Sequence, residues 1–116
     1  MSQPWSPSTP PGLADAGAQV AQLRRVLALV EELAGERGGD CALDEAARTR
    51  AGYEDALPVD QRRFDRCAAR AIAAAAAGAE ALLAGDGDSA GRKAAAARLA
   101  DALREALAEL AEIVRA

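Results

Sequence analysis

Apolar residues recur along the chain in steps of three and four, the spacing that gathers them on one face of a helix. From Leu13 to Gly35 the stripe runs Ala16, Val20, Leu23, Leu27, Val30 and Ala34, and Val26, Leu29 and Leu33 widen it. Gln22, Arg25 and Glu32 lie on the other side. Gly35, Gly38 and Gly39 end the pattern, and Asp40 is placed to cap a second helix. That helix, Cys41 to Leu57, is shorter. Leu43, Ala46, Ala47, Tyr53 and Leu57 mark its inner side, Arg50 falls near the seam, and Gly52 weakens the middle. Pro58 disfavours a helical Leu57 and suits the first turn of the next helix.

The stretch from Phe64 to Ala84, FDRCAARAIAAAAAGAEALLA, dominates the pattern. Phe64, Ala68, Ala71, Ala75, Gly78 and Leu82 share one face, with Ile72 and Ala79 beside them. Arg62, Arg66 and Arg70 lie opposite, and Arg63 flanks them. Further along, the outer face becomes Ala69, Ala73, Ala76 and Ala77, with Glu80 the only polar residue. A helix apolar all round is usually buried. This one is therefore expected at the centre of a bundle, or with its second face against a partner. Gly85-Asp86-Gly87-Asp88-Ser89 is a loop, and Ser89 or Asp88 caps a last helix, Ala90 to Arg115. Its inner stripe is Ala96, Leu99, Leu103, Ala106, Leu110 and Ile113, broadened by Leu107 and Val114. Asp101, Glu105, Glu109 and Glu112 face away.

No stretch has strand alternation, so the pattern predicts an all-α, antiparallel four-helix bundle with a short second helix. The alternative is a three-helix bundle in which 41–84 form one long kinked element. Residues 1–12, MSQPWSPSTPPG, are Pro- and Ser-rich and are expected to form a disordered or polyproline-like arm, leaving 13–116 as a single helical domain. Trp5 in that arm either docks on the bundle or anchors a partner.

Composition narrows the function classes. Hydrophobic residues make up 51% of the 116 and aromatics only 3%, so the core is built from small side chains. Alanine favours helix but buries little area, and it allows neighbouring helix axes to approach to about 8 Å. A thin core favours oligomerisation or a bound partner. The net charge of −4 argues against nonspecific nucleic-acid binding. With no histidine, the chain lacks the commonest general base and metal ligand, and histidine phosphotransfer is excluded. Two cysteines are too few for a zinc site. In a hairpin turning near Pro58, Cys41 and Cys67 lie roughly 25 and 13 Å from the turn, too far apart to bridge. Free thiols in a reducing compartment, and a cytoplasmic protein, are expected. No signal peptide and no transmembrane span are read from the sequence.

Motif matches fail on chemistry. The loop from Asp86 resembles the start of a calcium loop, but Ala90 and Ala97 stand where oxygen ligands are needed. Gly91-Arg92-Lys93 lacks the glycine spacing and preceding strand of a phosphate loop. Arg48, Arg50, Arg62, Arg63, Arg66 and Arg70 cluster around the second turn among six nearby acids, which suggests ion pairing between the two helices. An anion site drawing on Arg50, Arg63, Arg66 and Arg70 is the competing reading. No catalytic set, metal or cofactor is implied. The leading expectation is a non-enzymatic interaction module (an adaptor, export chaperone or regulatory subunit) acting through Ala69, Ala73, Ala76, Ala77 and Glu80. A homodimer or protein partner is expected, with no nucleic acid or membrane. The alternative is a small helical enzyme or sensor that binds an anionic molecule.

Overall fold

Each periodic stretch forms a helix. The computed structural model describes residues 16–36, 43–85 and 89–115, and these form α1 (Ala16–Leu33), α2 (Leu43–Asp55), α3 (Pro58–Ala84) and α4 (Ser89–Val114). The architecture is an all-α four-helix arrangement with a short second helix, and no strand occurs among the described residues. Trp5, Cys41 and the Asp86–Asp88 segment lie outside them.

The boundaries follow local chemistry. Gly35 ends α1 with φ +81, a conformation in which a Cβ would crowd the backbone. Its N–H bonds to the Glu32 carbonyl at 3.0 Å, and the Glu36 N–H reaches back to Glu31 O at 2.8 Å. This paired closure satisfies carbonyls that the helix end leaves without partners. Leu57 is extended (φ −67, ψ 152), and Pro58 opens α3. The chain therefore breaks between α2 and α3, which removes the three-helix alternative.

α1 and α4 form the middle of the molecule. α3 packs along one side of the pair, against both, and α2 packs on the other side, chiefly against α1. The whole expected stripe of α1, from Ala16 through Ala34, is buried. The inner face of α3 is also as expected: Phe64, Ala68, Ala71, Ala75 and Leu82 are buried, with Ile72 and Gly78 half-buried. In α4 Ala96, Leu103 and Leu110 of the expected stripe are buried, and Ala100, Leu107 and Val114 are buried beside them. Leu99, Ala106 and Ile113 are only half-buried. Leu29, on the edge of the α1 stripe, is 62% exposed, and Leu57 is exposed as well.

Three polar contacts tie the helices together. Arg24 clamps Glu45 through two hydrogen bonds, Nε–Oε1 at 2.8 Å and Nη2–Oε2 at 2.9 Å, joining α1 to α2. Arg104 on α4 donates to Glu31 at 2.8 Å, to Glu36 at 2.7 Å and to Asp101 at 2.7 Å. Glu31 is a buried acid, and this guanidinium compensates it. At the α2–α3 corner the Tyr53 ring meets Phe64 edge-on, with centroids 5.4 Å apart. The Tyr53 hydroxyl donates to Asp65, and the Gln61 amide donates to the Tyr53 carbonyl.

Candidate functional site

The placement of α3 corrects one expectation. Its apolar flank is not buried within the chain, because α3 lies beside the central pair and only its inner face meets α1 and α4. Ala69, Ala73, Ala76, Ala77 and Glu80 are all exposed. The helix is held on one side only, by Phe64, Ala68, Ala71, Ala75 and Leu82.

A residue absent from the expected face completes it. Leu83, at the far end of α3, is 78% exposed. The outward line runs Arg62, Arg66, Ala69, Ala73, Ala76, Glu80 and Leu83, steps of four and three without interruption, and every member is exposed. This is the spacing of a helix that packs along a second helix. The signal was present in the sequence, in the constant step from Arg62 to Leu83. The alanines mark only the middle of that line.

α3 is also apolar enough to cross a membrane by length and composition, in contrast to the expectation of no such span. An 18-residue window reaches a mean hydropathy of 1.4, and 28% of it is buried. The difference lies in alanine, which raises a hydropathy index although its side chain carries little apolar area.

The arginines do not converge. Arg50, Arg63, Arg66 and Arg70 are all exposed. Arg63 pairs with Asp60 on its own helix at 3.2 Å. Arg70 lies beside Cys67 and Glu109 in a shallow groove between α3 and α4. Cys67 there is a buried free thiol. Burial pushes its ionisation up, Glu109 adds to the shift, and Arg70 opposes it. A thiol held protonated in this way is a poor nucleophile. Among the described residues no group of His, Cys, Asp and Glu could hold a metal ion.

One larger hollow exists elsewhere, bounded by α1, α2 and α4. It measures about 540 Å³, and Val20, Glu45, Arg48, Thr49, Leu107 and Arg115 are among its walls. Glu45 in this wall is already engaged by Arg24. Gly52 closes one edge, where a Cβ would lie 2.5 Å from the Val114 carbonyl oxygen. Its place in α2, which the sequence shows only as a weak helix former, thus answers to a close approach of α4.

Comparison with protein-family models, curated proteins and solved structures finds no match, so the reading of the site rests on the chain's own residues.

Proposed function

We propose that the chain is a non-enzymatic interaction module, an adaptor, export chaperone or regulatory subunit of the cytoplasm, that docks through the outward face of α3. One observation supports this reading above the others. Four alanines and Leu83 line an exposed strip of helix on a protein whose inner stripes are already committed to its own core. Exposed apolar residues scattered singly need no explanation, whereas an ordered line of them is a feature of interfaces. Ala73→Glu or Ala77→Glu places a charge in that strip without touching the core. Either change is expected to lower the solution mass measured by light scattering, or to abolish retention of a partner from extracts of the native host. Unchanged mass together with unchanged retention removes the basis of the proposal.

The second reading, an anion-binding enzyme or sensor, is supported only by the hollow beside Arg48 and Arg115. The four arginines first singled out for it do not line that space.

A further inference from the structure

We infer that the partner of the outward α3 face is a second copy of this chain, docked antiparallel about a two-fold axis beside Ala73. The inference rests on the interaction reading above and names its partner.

The argument comes from where the charges fall. Arg66 stands seven residues before Ala73, and Glu80 stands seven after it. At the rise of an α-helix each is about 10 Å from Ala73 along the axis. Two copies crossed antiparallel at Ala73 therefore place Arg66 of each against Glu80 of the other, with Ala69 opposite Ala77. Leu83 then falls against the aliphatic stems of Arg62 and Arg63. A parallel pairing sets Arg66 over Arg66 and Glu80 over Glu80, so charge alone selects the antiparallel arrangement.

The two charges are not used in pairs among the described residues. Arg66 and Glu80 make no ion pair among the described residues. Residues three and four positions from Glu80 are Ala76, Ala77, Leu83 and Ala84, so its own helix offers it no cation. Small side chains between the charged ends let the axes approach to about 8 Å, close enough for both pairs to form. Arg62, Arg66 and Glu80 share the line with the alanines, and three charges on one stripe make it a poor face for lipid. A surface matching itself under two-fold rotation is what a closed dimer requires.

The test is charge exchange followed by sedimentation of the full chain. The wild type is expected to dimerise at up to roughly 100 μM, the micromolar range that a small interface supports. Arg66→Glu and Glu80→Arg each set like charges together at two symmetric places and are expected to weaken the dimer about tenfold or more. The Arg66→Glu/Glu80→Arg double variant regains it. An equimolar mixture of the two single variants forms a mixed dimer that neither forms alone, visible by native mass spectrometry with one variant isotope-labelled. A monomeric wild type overturns the inference, and capture of a different protein by the same face then leaves the interaction reading standing. A dimer broken by Ala73→Glu but indifferent to both charge variants overturns this register while keeping the face. Binding to phosphatidylcholine–phosphatidylserine vesicles in place of dimerisation overturns it as well.

Discussion

α1 fills its buried stripe with Val20, Leu23, Leu27 and Val30, whereas α3 puts Ala68, Ala71 and Ala75 in the corresponding places. Both helices pack against the same core. The large side chains of α1 mark its inside, because most of them fall on one face, with Leu29 and Leu33 the exposed exceptions. On α3 the inner and outer middle sections have the same side chain, and a wheel cannot tell them apart. What orients α3 is the set of exceptions: Phe64, Ile72 and Leu82 inside, and Arg62, Arg66 and Glu80 outside. Alanine thus supplies helix propensity without specifying a side.

The sharpest way to test that contrast is to shorten a large residue on one helix and add a charge to the other. Leu23→Ala empties a fully buried site and is expected to cost about 3 kcal/mol, read from urea unfolding. Ala73→Glu on α3 is expected to change the stability of the isolated fold by less than about 0.5 kcal/mol. A comparable loss from both would mean that the outer face of α3 is packed. An effect between these two is expected at Gly52→Ala, where the new methyl meets the backbone of α4 rather than a yielding side chain. Strain of about 1–3 kcal/mol is offset in part by about 1 kcal/mol of helix propensity, so a net loss of about 1 kcal/mol is expected.

The smallest effect is a titration. Tyr53 is the sole tyrosine, so phenolate absorbance reports it alone. Burial, the hydrogen bond to Asp65 and the Asp65 charge all raise its ionisation above the ordinary 10.0. A raised value means that this contribution to stability is complete below the ordinary tyrosine range and is lost as pH climbs through the folded value. Asp65→Asn is expected to bring the absorbance midpoint part of the way back, leaving the portion due to burial.

Most of the fold was legible in the sequence. The Gly35 stop, the Pro58 start and the whole α1 stripe stand where periodicity put them, since each depends on neighbours within a turn or two. The order of helices in space did not follow from it. Whether α3 is central or flanking depends on contacts made across long separations, and alanine has no preference between the two. Glu31 was legible only as a polar position. Its burial depends on Arg104, which is 73 residues away. The exposure of Arg50, Arg63, Arg66 and Arg70 has a related reason: nearness in sequence around a turn does not set side-chain direction.

The described side chains of α2 contribute little to the interior. Thr49 is the one buried residue among its described side chains, and Tyr53 is only half covered. Its attachments are a guanidinium clamp near its start, an aromatic corner at its end, and a tight pass of Gly52 over the end of α4. An element with a single buried residue among its described side chains can unfold before the rest does. The amides of α2 are then the first to exchange with solvent deuterium, while α1, α3 and α4 exchange together as one slower unit. Such an opening would bare the side of the central pair that α2 covers and leave the outward line of α3 unchanged.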